Sequence, residues 1–508
     1  MRDATGGGMR RLFTSASNLS ARHPVALGVS AVFGLSLLLR WLFLQAAPDR
    51  TWPFSIFFYG DARFFHAYAV DLARGHEGPA ALPYHPPLFP WLLGLLYRVL
   101  GMPRGDASPY KLALATLNAA TVAFTWWWWR RLLGTGWSLL GAALFAGSFG
   151  WLVLSTTYSN EVLYALFLSA TCALMLQHRA APSGWSAVLL GVVMGLGALT
   201  RAEHLYLWPF LLAWAWRQRG ETAVRTLAPR WGVAMLVTAL VLAPWAAHNA
   251  RVLRELNVRT PHLEPLPVLA PITVYGPINF AMANHARATG GFTPDSVNQV
   301  GQEGFLDVTN PAQRHLLLHG YAEGLAWMGD HPLDAARLAW AKLDRWLDGL
   351  QLGWGTTNWP SGLSGARPPV DVFVPEGAWL KWPLTLLLLA GAALSLRPAW
   401  RDYGLFTAVL LHRALITVAF FGYTRGLLAI FPVLLPLLLL PFIVLTARAP
   451  ANAWARRLPA IAAAALLVLW VEAGALARSA PRRFIASGST DRASGKLIQD
   501  DWVSIQPD

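Results

Sequence analysis

Asp61 stands in the stretch Tyr59-Gly60-Asp61-Ala62-Arg63-Phe64-Phe65-His66-Ala67-Tyr68, just beyond the first long apolar run of the chain. A carboxylate set among aromatics at a lipid–water boundary can accept the proton of a hydroxyl that attacks a lipid-delivered substrate. Four further residues could complete such chemistry. Glu161 is a second acid. Arg201, Arg425 and His85 are cations or potential cations that could hold a phosphate as negative charge builds on it.

Each also has a plainer reading. Asp61 could cap a helix running from Ala62 to Ala73, a role compatible with proton transfer. Glu161 could occupy a first helical turn, where the dipole favours an anion. Arg201 and Arg425 could snorkel to an interface, and His85, before Pro86-Pro87, could be an exposed turn residue. His66 lies five residues beyond Asp61, so on a helix it points about 140° away and reads as packing.

The elements that must position these groups are membrane helices. Of 508 residues, 55% are hydrophobic and 13% charged, about half the charge of a soluble domain. The apolar residues fall in runs long enough to cross about 30 Å of hydrocarbon. The net charge of +14 is accounted for by basic residues in cytoplasmic loops, not by a nucleic-acid partner. Cys172 is the only cysteine, which excludes an intramolecular disulfide and any cysteine-based metal site. The apolar run from Pro24 to Gln45 follows Arg2, Arg10, Arg11 and Arg22 but is too long for a signal-peptide core.

Arginine placement orients the spans. The first helix exits near Asp49. Pro86–Leu100 is short, begins Pro-Pro and contains Arg98, so it reads as an interfacial helix. Pro109–Trp129 returns to Arg130-Arg131, and Trp137–Thr156 goes outward. Glu161–Gln177 returns, Trp185–Thr200 goes outward, His204–Trp216 returns, and Trp231–Ala247 goes outward. After a long polar stretch, Trp379–Leu396, Tyr403–Phe421, Gly426–Leu445 and Leu458–Leu476 bring the total to about eleven spans. The expected organisation is an N-terminal transmembrane catalytic module over 1–247, with its first external loop at 46–108. An external subdomain over 248–377, C-terminal transmembrane helices over 378–477 and an external tail over 478–508 follow. An amphipathic helix is expected around Asp334–Leu350.

This topology places Asp61, His66, His85, Glu161, Arg201, Glu203, His204 and Arg425 at one external face. Arg413, beside His412, falls mid-span, where a charge is costly, and stays outside the site. No Gly-rich phosphate loop or dinucleotide fingerprint appears on the cytoplasmic side. No cofactor is assigned; a divalent metal is only weakly indicated, with no histidine pair or carboxylate triplet read at ligand spacing.

At these residues the chain resembles the GT-C superfamily of integral-membrane glycosyltransferases. It is most similar to the bacterial glycosyltransferase family 39 branch, related to protein O-mannosyltransferases and to the enzyme that adds aminoarabinose to lipid A. The resemblance rests on Gly60-Asp61-Ala62, Tyr84-His85-Pro86-Pro87-Leu88, Thr157-Tyr158-Ser159-Asn160-Glu161, Leu199-Thr200-Arg201-Ala202-Glu203, and Thr424-Arg425-Gly426 through Pro432. These occur in the family's order over roughly residues 24–446. There are three departures. His85 replaces a lysine, so its phosphate contact is expected to depend on protonation near pH 6.5. The second acid is a glutamate, and Arg425 lacks the tyrosine that usually follows.

The resemblance implies an all-α, polytopic fold and a polyprenyl-phosphate-linked sugar as donor, with transfer to an acceptor hydroxyl at the external face of a bacterial inner membrane. Asp61 would be the base, Glu161 would orient hydroxyls, and Arg201, Arg425 and His85 would hold the donor phosphate. The alternative is a multi-pass lipid or sugar transporter without catalysis. Transporters place polar residues at mid-membrane, commonly in repeats, and only Arg413 fits that pattern.

Overall fold

The computed structural model describes residues 24–46, 60–75, 83–103, 107–218, 221–292, 308–350, 381–448, 457–466 and 468. Among them every regular element is helical. Calls on the N-terminal arginines, the segment 351–380 and the tail 478–508 lie outside the described residues.

The first half contains α1 (Pro24–Ala46), α2 (Gly60–Arg74), α3 (Leu88–Leu100), α4 (Ser108–Leu133), α5 (Thr135–Gly147) and α6 (Phe149–Leu154). It continues with α7 (Glu161–Ala180), α8 (Gly184–Thr200), α9 (Trp208–Gln218) and α10 (Glu221–Arg259). Then come α11 (Gly276–Ala283), α12 (Pro311–Asp330) and α13 (Pro332–Leu347). The described remainder holds α14 (Lys381–Ser395), α15 (Gly404–Ala419), α16 (Thr424–Leu428), α17 (Phe431–Arg448) and α18 (Arg457–Leu466).

Four helices in the described residues are long and apolar enough to cross a membrane: Pro24–Gln45, Glu161–Ala180, Ala228–Arg259 and Pro398–Ala419. Shorter apolar helices, among them α3, α5, α8, α14 and α17, accompany them. The protein is a multi-pass membrane protein. At 13 residues, α3 covers about 20 Å, too little to span, in keeping with its expected interfacial role.

Three expected spans differ in form. Trp137–Thr156 is not one helix. Ser148 is extended (φ −60°, ψ 124°) and separates α5 from α6, where Gly147 and Gly150 weaken helix propensity. His204–Trp216 begins as a 3₁₀ turn over Ala202–Leu207 and becomes α-helical only at Trp208. Trp231–Ala247 is the middle of the 39-residue α10, which runs on to Arg259 through Pro229 and Pro244. The boundary expected at 247 therefore falls within a continuous helix. The amphipathic helix expected around Asp334–Leu350 is present as α13 with a closing 3₁₀ turn.

The core is centred on α17, whose Leu434, Leu435, Leu437 and Leu440 are fully buried. Trp129 donates its indole N–H to the carbonyl of Pro432 at 3.2 Å, and Trp151 donates to that of Leu428 at 3.1 Å. These bonds satisfy two tryptophans that would otherwise bury unpaired donors, and they tie α4 and α6 to the chain around α16. Gly191 lets α8 meet α10 at backbone distance, since a Cβ there would lie 2.4 Å from the Ala234 carbonyl.

Candidate active site

Asp61, Glu161, Arg201 and Arg425 come from four separate elements and meet in one place. Each sits at a helix terminus. Asp61 lies in the first turn of α2, inside the helix and not at a cap before Ala62. Glu161 is the first residue of α7, Arg201 follows the last residue of α8, and Arg425 is the second residue of α16. Acids at helix N-termini and a cation at a C-terminus are the placements the helix dipole favours.

The side chains form a ladder of alternating charge. Arg425 Nη2 donates to Asp61 Oδ2 at 2.8 Å, and its Nε lies 3.6 Å from Glu161 Oε1. Arg201 Nη1 reaches the same Glu161 Oε1 at 2.5 Å, while its Nε donates to Glu203 Oε1 at 2.6 Å. Arg413 Nη1 then reaches Glu203 Oε1, also at 2.6 Å. Asn160 buttresses this row. Its amide donates to the Thr200 carbonyl at 3.3 Å, and its Oδ1 accepts from Arg201 at 3.4 Å. Ser159 donates its hydroxyl to Glu161 Oε2.

Openness is unequal along the ladder. The Asp61 side chain is 38% exposed, whereas that of Glu161 is 1% exposed. Of these two acids, the aspartate is the one open to a substrate hydroxyl. Partial burial pushes its carboxyl up, but Arg425, His85 and Arg201 outweigh that and hold it down to about 2. Glu203 behaves alike: burial opposes its charge, and Arg201 and Arg413 more than compensate, leaving it well below the usual carboxylate range. For Arg201, burial disfavours the cation while Glu203 and Glu161 restore it and push it above its ordinary value.

His85 packs beside this row without joining it by a hydrogen bond in the described contacts. Its ring centroid lies 4.6 Å from Phe64, 5.4 Å from Phe65 and 5.8 Å from Tyr275. Burial lowers its pKa first; Asp61 pulls it up and the Arg425 charge pushes it down, for a net value below 6.5. The expected protonation near pH 6.5 thus meets an imidazole whose neutral form is favoured by burial among these aromatic walls.

His66 is packing, as its spacing suggests. It is buried, hydrogen-bonded through Nδ1 to the Tyr97 hydroxyl at 2.7 Å, and stacked near Tyr158. Sequence reasoning missed two features. Arg413 pairs with Glu203 in the same cluster, so it no longer argues for a mid-membrane transport path. Glu203 is the shared partner of two arginines, and its two-residue spacing from Arg201 was a signal: such neighbours do not face one another on an α-helix. Their 2.6 Å contact goes with the extended Arg201 backbone (φ −145°, ψ 118°) and the 3₁₀ turn that follows.

Gly426 gives this row room. A Cβ there would lie 2.7 Å from Arg413 Nη2. Outside this cluster, Arg40 on α1 was also overlooked. Fully buried, it donates to the carbonyl and hydroxyl of Ser36 at 2.9 and 2.7 Å and to Asn118 Oδ1, an intramembrane cation held by neutral acceptors.

Residues 84–248 match the profile of the family described as dolichyl-phosphate-mannose-protein mannosyltransferase. The matched stretch includes His85, Glu161, Arg201 and Glu203; Asp61, Arg413 and Arg425 lie outside it. No curated protein matches the chain. Among solved structures the chain is similar to the crystal structure of ArnT from Cupriavidus metallidurans bound to undecaprenyl phosphate. Identity there is 17%, with 82% of this chain and 79% of that chain covered, and the TM-score is 0.36. The likeness to a mannosyltransferase family is thus carried by residues 84–248, the stretch that supplies His85, Glu161, Arg201 and Glu203.

Proposed function

We propose that the protein transfers a sugar from a polyprenyl-phosphate-linked donor to an acceptor hydroxyl at the external face of a bacterial inner membrane. The observation that carries this reading is the ladder itself: one accessible, ionised carboxylate beside a row of guanidiniums. The name of the matched family, with its dolichyl-phosphate-linked donor, supports a lipid phosphate as the leaving group.

The step balances on these residues. The acceptor O–H gives its proton to Asp61 as its oxygen bonds to the anomeric carbon. The bond from that carbon to the phosphate oxygen breaks on the opposite side, inverting the centre. The departing lipid phosphate takes the electron pair and is met by Arg425 and Arg201. His85, neutral, contributes a hydrogen bond and not a charge.

A carboxylate held at about 2 is a weak base. Donor binding changes that: a phosphate that draws Arg425 away from Asp61 removes the largest force keeping the carboxyl acidic. The base is thereby strengthened only when the donor is present. Glu161, buried with both oxygens engaged, is placed to position the two arginines. The role expected from sequence, orienting sugar hydroxyls, would need it open.

Sugar transfer assayed with a purified polyprenyl-phosphate sugar in detergent tests the reading. Turnover in the wild type that survives unchanged in Asp61→Asn would overturn it.

A further inference from the structure

The external part of the chain holds a second cluster of chemically competent side chains. His315 and His319 are one helical turn apart on α12, in His315-Leu316-Leu317-Leu318-His319. Glu264 comes from the segment after α10. One donor atom from each of the three lies within 4.8 Å of the others. His319 Nε2 contacts Glu264 Oε2 at 3.1 Å, and His315 Nε2 contacts Glu323 Oε1 at 2.8 Å, one further turn along the same face.

We propose that Glu264, His315 and His319, with Glu323 as fourth ligand or as hydrogen-bond partner to His315, bind a divalent transition-metal ion of the zinc class. Two imidazoles at i and i+4 with one or two carboxylates are a donor set such ions take. Tetrahedral ligands at zinc distances lie about 3.3 Å apart, so side-chain rotation closes the present spacing without moving the helix. The ion replaces the N–H protons that the two imidazoles now direct at carboxylates.

The surroundings hold the ligands in place. Arg314, itself 1% exposed, donates to the Glu264 carbonyl at 2.6 Å, to Thr260 Oγ1 at 3.1 Å and to Asn257 Oδ1 at 2.8 Å. Asn257 in turn donates to the Leu266 carbonyl at 2.8 Å and accepts from its N–H at 2.9 Å. The segment bearing Glu264 is thus clamped against α12 before any ion arrives. Onward it runs to Val274, whose N–H bonds the Pro83 carbonyl at 3.0 Å, and to Tyr275 beside His85. The ion would fasten the external segment that ends at the candidate active site.

The test uses the full-length protein, purified in detergent through a histidine-free tag, stripped with EDTA, reloaded with Zn²⁺ or Co²⁺ and gel-filtered. Elemental analysis should find close to one ion per chain in the wild type and in Asp61→Asn. His315→Gln combined with His319→Gln should lower retention at least tenfold, as should Glu264→Gln, with unchanged elution profiles. Zn²⁺ should raise the Tm of the stripped wild type and not of the double variant. Equal retention in wild type and double variant, or no retention by the wild type, overturns the proposal. Because Asp61→Asn is predicted inactive yet metal-loaded, failure here is distinguishable from failure of the proposed sugar transfer.

Discussion

Arg425 Nη2 donates to Asp61 Oδ2 at 2.8 Å across 364 positions of sequence. The contact joins the start of α2 to the start of α16, and it ties the candidate base to a candidate donor-binding cation. Binding and proton transfer are therefore coupled at this site, and each variant below is read for both.

Asp61→Asn keeps the shape of the side chain and removes its basicity. Transfer should fall by about a hundred- to ten-thousandfold, while the donor lipid still co-purifies with the protein. Quantitative lipid mass spectrometry beside a turnover assay checks both; loss of the lipid together with activity would assign Asp61 to binding.

Arg201→Ala should weaken donor binding and lower kcat, the latter by about a hundredfold. Unchanged kinetics would leave Arg201 as an anchoring residue only.

In the free enzyme Asp61 stays ionised until pH approaches 2. Its folded value lies below the ordinary aspartate value, so its contribution to stability is present above about pH 4 and is lost as pH falls toward 2. The acid limb of kcat/KM should consequently show no Asp61 titration between pH 5 and 4. Arg425→Gln should move that titration upward, visible as an acid limb entering the same interval.

His85→Lys places a permanent cation where the neutral imidazole now sits. Donor affinity measured between pH 6 and 9 should rise in the variant and lose any histidine-like inflection. Weaker binding would mean that the aromatic pocket rejects the charge.

Lys342 on α13 is buried, its ammonium donating to Asn284 Oδ1 at 2.7 Å and to the Val418 carbonyl at 2.9 Å. Burial lowers its pKa to about 7. The folded value is below the unfolded one, so the unfolded chain binds more protons between about pH 7 and 10.5 and stability should rise with pH across that window. Lys342→Met should flatten the slope, which Tm measured against pH would show.

How much of this was legible in the sequence depends on the kind of signal. Apolar runs and arginine-flanked ends mark most helices, because desolvation acts locally on contiguous residues. The grouping of Asp61, Glu161, Arg201 and Arg425 was legible through shared sidedness. The pairings were not, since Arg413–Glu203 and Arg425–Asp61 depend on how α15 and α16 meet elements two hundred or more residues earlier. The break at Ser148 and the 3₁₀ turn at Ala202–Leu207 escaped notice because hydropathy continues smoothly across both. The metal-ligand spacing of His315 and His319 was overlooked although it stands in the sequence, whereas Glu264, 51 residues before the first of them, needed the fold.

Lys342 and Gly422 give the segment between α10 and α14 leverage on the candidate site. Gly422 passes so near α13 that a Cβ would lie 2.0 Å from the Lys342 carbonyl, and its N–H bonds the Gly290 carbonyl at 2.8 Å. Only two residues separate Gly422 from Arg425. Under the proposed transfer, an acceptor that shifts α13 would act through this contact on the guanidinium that faces Asp61, and a donor that moves the guanidinium would act back along it. Free-energy reciprocity then makes the two substrates partners in cooperativity: whatever factor one imposes on the other's affinity is returned in equal measure.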